Sequence, residues 1–317
     1  MTERIPAIAH FVWFGSSFPW LYGLALRAAV ERGGFERAVL HHQDSLEGEP
    51  GWEQARADDR IEPRRLDPER ALLGSGPRGE ELVVLYRRLE QPAARSNMVR
   101  AAILAAEGGV YMDTDVVCVR SFGPLLDAGV FCGEERIALP AEVRRSRSPA
   151  VWAGAAARLA VRDLLRRAPA GWRAFGRLEG LYPAAVNNAV LGARPGHPLV
   201  AELLERMVEM PPRRQTVRFA LGTGLLQDLV RERGAEEDLR VHRPDLFYPL
   251  PPEISEHWFR IGGRPRLEEA LTPRTVAVHW YASVRTRQLL PRIDERYVRR
   301  HSDRQLLAAL LEPLTRG

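Results

Sequence analysis

From Ala93 to Glu107 the chain reads AARSNMVRAAILAAE, with Met98, Ala102, Ile103 and Ala106 along one helical face, and it then meets Gly108 and Gly109. Two consecutive glycines end a helix, since they adopt the left-handed backbone that other residues avoid. No loop of any length can follow, because Val110-Tyr-Met112 is already a β-forming run and Val116 to Val119 resumes it after Asp113-Thr-Asp115. A helix turned straight back into a buried strand, with two acids at the strand's end, constrains the chain to an α/β sheet with helices on its faces.

The remaining segments extend that pattern. Ala7 to Phe14 predicts a buried first strand closed by Gly15. Pro19 to Arg32 predicts a helix ending at Gly33-Gly34, and Arg37 to His42 a second strand. Residues 47–80, rich in Glu, Pro, Arg and Gly, read as the least ordered part of the N-terminal half. Residues 141–177 shift to Ala and Arg with helical spacing and read as a helical insertion, a candidate acceptor subdomain. Pro198 to Glu209 and Leu225 to Arg233 predict helices, Leu246 to Leu250 an extended apolar piece, and Thr275 to Trp280 a late strand. The arginines between Arg285 and Arg304 read as a solvated helix face. The whole, 1–317, is expected to be a single catalytic domain.

Composition removes some chemistries. The 46 basic residues are all arginine, so mechanisms that need lysine, such as phosphate-loop nucleotide hydrolysis and Schiff-base catalysis, are excluded. The net charge of +5 favours acidic partners in general. Interleaved acids and the lack of an aromatic-basic cluster argue against nucleic acid. Cys118 and Cys132 are too few for a zinc cage or a disulfide framework and read as two buried thiols. With no signal pattern and no apolar run long enough for a transmembrane segment, a soluble cytoplasmic protein is expected.

Carboxylates at i and i+2 on a strand point to opposite faces, but a turn at the strand end brings both to one hard cation. A divalent ion there would neutralise a diphosphate leaving group in a protein that has only arginine for the task. Alone, Asp-Thr-Asp is also a common turn.

Its context adds to this. Arg95-Ser-Asn-Met-Val-Arg100, seven residues, and then Gly108-Gly-Val-Tyr-Met-Asp-Thr-Asp115 resembles the signature of the Asp-X-Asp sugar transferases, which include the initiating α-mannosyltransferases of yeast and the catalytic domains of the large glucosylating toxins of clostridia. Ile5 to Gly15 is similar to that family's opening strand, Pro183 to Gly192 with Pro195-Gly-His-Pro198 to its asparagine segment, and Ala277-Val-His-Trp280 to its closing strand. Gly222-Thr-Gly-Leu-Leu226 resembles its glycine loop, with Thr where Pro is more usual. These pieces span 5 to 283, and the insertion has no counterpart among them.

The resemblance implies the glycosyltransferase-A type of fold, a single Rossmann-like mixed sheet flanked by helices. It also implies a metal-dependent retaining transfer of a hexose or N-acetylhexosamine from a nucleotide diphosphate sugar, UDP favoured, to an acceptor hydroxyl of a glycan, peptide or small natural product. Asp115 would ligate Mn²⁺ or Mg²⁺ directly, Asp113 would reach the metal through water and touch the sugar or ribose, and His279 is a third ligand candidate or a structural histidine. Val12 and Trp13 would meet the nucleotide, Trp13 by stacking on the base, although a core Trp fits equally. Arg100 would hold sugar hydroxyls or phosphate oxygens unless it forms a surface ion pair. Tyr111 and Ser96 would lie at the donor sugar, Asn187 or Asn188 would bond it or cap a helix, and Trp280 would cap the diphosphate. Asn97 stands where the family usually has Asp. That substitution motivates an alternative, a sugar-nucleotide-binding protein without turnover.

Overall fold

A computed structural model describes residues 4–315 apart from Arg218, Ala235, Ser283 and Arg285, so Arg285 of the arginine-rich tail lies outside the described residues. Nine strands are described: β1 Ile8–Trp13, β2 Arg37–His42, β3 Ile61–Arg65, β4 Gly109–Met112, β5 Val116–Cys118, β6 Val130–Arg136, β7 Ala184–Ala193, β8 Leu239–His242 and β9 Ala277–His279. Seven form one mixed sheet in the order β3-β2-β1-β4-β7-β6-β8, and β5 and β9 form a separate pair. The first four are parallel, β7 is antiparallel to both β4 and β6, and β8 is parallel to β6.

The chain builds outward from β1 to β3, then returns to add β4 on the other side of β1. Such a reversal opens a crevice at the carboxyl ends of the two central strands, where α/β folds bind ligands. Trp13 ends β1 and Asp113 follows β4, so both stand at this point. The sheet is filled on both faces. Ala9, Phe11, Val110 and Met112 pack with the helix Trp20–Glu31, while Tyr111, Cys132 and Leu191 pack with the helix Pro92–Glu107 and the helix Pro198–Glu209. The alternation along β4 explains why Tyr111 faces the motif helix and its two neighbours do not.

The turn between helix and β4 needs both glycines. Gly108 has φ 65° and Gly109 φ 96°, and a Cβ on Gly108 would sit 2.6 Å from the Pro195 ring. The stretch 47–80 is more ordered than its composition suggests, holding β3 and the short helices Pro50–Ala55 and Pro68–Leu73 before the helix Gly79–Arg88 begins. Residues 141–177 are helical, as Ala141–Arg145, Pro149–Arg167 and Gly171–Leu178. Leu246 to Leu250 is not simply extended: Pro at the first helical position lets Pro244–Phe247 form a helical turn. Both cysteines are buried and unpaired. No described helix is long and apolar enough to cross a membrane.

One core feature has a pH signature. His10 Nδ1 lies 3.0 Å from His41 Nε2 in the buried sheet, and burial pushes both imidazoles below their ordinary pKa of 6.5. Between the two states the unfolded chain therefore binds more protons, so stability is lost as pH falls below about 6.5. A cost of about 2 kcal/mol per histidine is expected at pH 5 relative to pH 7. Urea unfolding at the two pH values checks this, and His41→Leu should flatten the slope; an unchanged slope would contradict it.

Candidate active site

A turn closed by the Val116 N–H on the Asp113 carbonyl, at 3.0 Å, puts Asp113 and Asp115 on the same side of the chain. The strand that leaves this turn, β5, runs antiparallel to β9 with Val116 opposite His279. That register brings His279 beside Asp115, its Nε2 3.1 Å from Oδ1. Asp115 Oδ2 accepts the Ala282 N–H at 2.7 Å. One ligand atom from each of Asp113, Asp115 and His279 lies within 4.8 Å of the other two. Two carboxylates and an imidazole form a donor set suited to Mn²⁺ or Mg²⁺.

The charges in this group are balanced internally. Burial works to raise the Asp115 pKa, but the adjacent His279 charge and its hydrogen bond outweigh it and hold the carboxyl below the usual range. Burial likewise works against protonated His279, and Asp115 overcomes it, so the imidazole is held above its usual value. For Asp113, burial together with the Asp115 charge exceeds the pull of Arg100, and the carboxyl sits above the usual range.

Arg100 is a buried residue of the helix Pro92–Glu107, not a surface ion pair. Its Nη2 donates to Asp113 Oδ1 at 2.9 Å, its Nη1 donates to the Asn188 carbonyl, and its guanidinium lies 4.1 Å from the Tyr111 ring centre. Tyr111 is buried, yet its hydroxyl donates to the same Asp113 oxygen at 2.8 Å. Ser96 Oγ is 3.4 Å from that hydroxyl. Asn187 and Asn188 lie in β7, not at a helix start, so the helix-cap reading falls. Asn188 Nδ2 donates to Asn97 Oδ1 at 2.9 Å, which joins the departure from the family pattern to the asparagine segment.

Asn97, Arg100, Asp113, Asp115, Asn187, Asn188 and His279 line a cleft of about 900 Å³, which also takes in Glu135, Tyr281 and the helix Ala141–Arg145, whereas Ser96 and Tyr111 stand behind Asp113 and do not line it. That volume lies at the upper end of the range for small-molecule sites. Trp13 is half-buried at the end of β1. Its indole N–H bonds the Ser17 carbonyl at 3.1 Å, and its ring packs on Tyr22 at 4.9 Å. Tyr22, in turn, is buried near Asp115, whose charge adds to burial in pushing the phenol up. Trp13 does not line the cleft, nor do Val12 and Trp280, whose side chains are buried in the two apolar clusters.

Residues 41–131 match the family model for the glycosyltransferase sugar-binding region containing the DXD motif, and the match takes in the motif helix, β4 and both acids. Over these residues the chain is similar to the sugar-binding region of glycosyltransferases. No curated protein matches the sequence. Solved structures with a similar trace include the PaToxG glycosyltransferase, at 15% identity over 73% of this chain and 70% of that one, TM-score 0.43. The ligand-free glycosyltransferase domain of the YGT toxin aligns at 10% identity over 76% and 81%, TM-score 0.43. Mouse xyloside xylosyltransferase 1, in its apo form, aligns at 12% identity over 87% and 98%, TM-score 0.43.

The glycosyltransferase region does not contain every polar group of the cleft. Glu135, just beyond it on β6, is buried, accepts the Tyr281 hydroxyl at 2.6 Å and also bonds the Asn187 side chain. Burial raises its carboxyl above the usual range. Glu135 sits in the charged end of β6, Glu134-Glu135-Arg136, where an acid is ordinary; its partner Tyr281 is 146 residues away and no local pattern announces it.

Proposed function

We propose that this chain is a metal-dependent glycosyltransferase that moves a hexose or N-acetylhexosamine from a nucleotide diphosphate sugar, UDP favoured, to an acceptor hydroxyl with retention of configuration. The observation that carries this reading is the convergence of Asp113, Asp115 and His279 at the sheet's reversal point, two of them inside the glycosyltransferase region. A bound divalent ion would supply charge neutralisation for the departing diphosphate.

The chain's own residues do the positioning. Ala282 N–H fixes the Asp115 carboxylate, while Arg100 and Tyr111 hold one oxygen of Asp113 and leave the other facing the cleft. Asn97, Asn187 and Asn188 present amide donors and acceptors suited to sugar hydroxyls. Glu135 is committed to Tyr281 and Asn187, and Asp113 and Asp115 to the partners given above, so none is placed as a free nucleophile. This favours displacement on the front face, with the leaving phosphate assisting the acceptor, over a covalent intermediate. The helix Ala141–Arg145 contributes Arg144 and Arg145 to the cleft, which supports assigning the acceptor end to the helical insertion.

A panel of UDP- and GDP-sugars with Mn²⁺, scored for release of nucleoside diphosphate, tests the activity. Release from at least one donor supports the reading, whereas binding of nucleotide with no release from any donor would favour the non-catalytic alternative. Trp13→Ala is expected to weaken binding of the free nucleoside diphosphate and of its sugar conjugate equally, by about 1–3 kcal/mol of lost stacking. Calorimetry on both ligands checks this, and an unchanged affinity would assign Trp13 to packing.

A further inference from the structure

A histidine that binds a metal through one ring nitrogen is ordinarily oriented by a hydrogen bond from the other, to a carboxylate or a backbone carbonyl. His279 lacks that device. Its Nδ1 is buried with no hydrogen-bond partner among the described residues, so when Nε2 turns from Asp115 to an ion, no hydrogen bond among those residues sets the ring plane. The imidazole instead packs against two rings. Tyr281 lies 3.9 Å away, tilted by only 30°, and Tyr248 approaches edge-on at 5.8 Å.

Tyr281 holds that place at a conformational cost. Its φ is 57°, in the left-handed region that a bulky side chain rarely enters, and it is one of only three described residues other than glycine with positive φ. A residue stays in that region only when its surroundings over-determine it. Here the determinant is visible: the Tyr281 hydroxyl donates to buried Glu135 at 2.6 Å, tying the end of the side chain to β6. The left-handed turn also directs the next residue, Ala282, to donate its N–H to Asp115.

We propose that Glu135 and Tyr281 are positioning residues for metal binding: Glu135 anchors the Tyr281 hydroxyl, and the anchored ring fixes the plane in which His279 offers Nε2 beside Asp115. The assignment rests on the reading of Asp113, Asp115 and His279 as the metal ligands. It adds to it that the rigidity of the metal-bound third ligand comes from an aromatic clamp and not from a hydrogen bond at Nδ1.

The test is Mn²⁺ binding to the full chain, followed by the electron paramagnetic resonance signal of the free ion, with thermal unfolding in EDTA as a control. Tyr281→Gly removes the ring and suits the left-handed backbone but leaves a cavity and takes a partner from Glu135, so the EDTA control establishes whether it folds. Its Mn²⁺ affinity is expected to fall by ~10–100-fold. Tyr281→Phe keeps the ring and loses only the tie to Glu135. Because it removes the same bond as Glu135→Leu, each should weaken Mn²⁺ binding several-fold and the double variant no more than either. In donor turnover the Mn²⁺ requirement should rise for all three while the rate at saturating Mn²⁺ is largely retained. If the parent binds Mn²⁺ and Tyr281→Gly or Tyr281→Phe binds it equally well, the clamp is overturned and the metal site stands. If the parent binds no Mn²⁺, the metal site falls and the clamp with it. Should the Gly variant not fold, Tyr281→Phe and Glu135→Leu decide on the same criterion.

Discussion

Asp115→Asn is expected to lower metal-dependent donor cleavage by at least ~10³-fold while leaving the fold intact. The amide is the same size and keeps an oxygen to accept the Ala282 N–H, now 2.7 Å from Oδ2, so the turn into β5 survives. What it loses is the charge that pairs with His279 and would bind the ion. A preorganised charge at a leaving group is worth ~10²–10³-fold even when only one donor is removed, and here the ion itself would be lost. Two readings separate the outcomes: turnover with Mn²⁺, and the unfolding midpoint in EDTA. Near-native turnover would show that the tripeptide is only a turn. A collapsed midpoint would show that Asp115 serves the fold first.

Arg100→Ala should be costly in both respects. The guanidinium is almost fully enclosed, and it satisfies Asp113, the Asn188 carbonyl and the face of Tyr111 together. Removing it strands the Asp113 charge and a buried carbonyl, a type of loss worth about 3 kcal/mol. For a chain of this size that corresponds to a fall of roughly 4–6 °C in Tm. Donor turnover should fall by at least ~10²-fold, because Asp113 would no longer be held toward the cleft. Arg100→Lys keeps the charge but cannot fork between Asp113 and Asn188, so it should recover part of the stability and little of the rate. Equal Tm for Arg100→Ala and the parent would contradict the buried-pair account.

The elements visible from sequence are those whose punctuation and period agree. The helix Pro92–Glu107 and β4 were legible because the double glycine leaves a single way to connect them, and the helices Pro198–Glu209 and Leu225–Arg233 were legible from their apolar spacing. β3 was not, since IEPRR carries a proline and three charges; it survives as an edge strand, hydrogen-bonded to β2 alone. β7 was hidden by Asn187 and Asn188, which read locally as a cap; the strand is held by β4 along Val190 to Ala193 and by β6, where Asn187 lies opposite Gly133.

In the site, Asp113, Asp115, Arg100 and His279 were legible as a motif and a closing strand. The resemblance implied Trp280 as a diphosphate cap, but its side chain, one residue beyond β9, is buried in the core. Glu135 and Tyr281 depend on a contact between distant segments, and only the folded chain displays it.

The claim that Asp113, Asp115 and His279 hold a cation for a nucleotide diphosphate is tested most directly by a thermodynamic cycle. Calorimetric titration of UDP and GDP into the parent chain, with Mn²⁺ and with EDTA, measures the coupling between ion and nucleotide. The account predicts that Mn²⁺ tightens binding of at least one nucleotide by ~10-fold or more, about 1.4 kcal/mol of coupling, and that Asp115→Asn abolishes the difference. Nucleotide affinity that is the same with Mn²⁺ and with EDTA, or coupling that persists in Asp115→Asn, would contradict it.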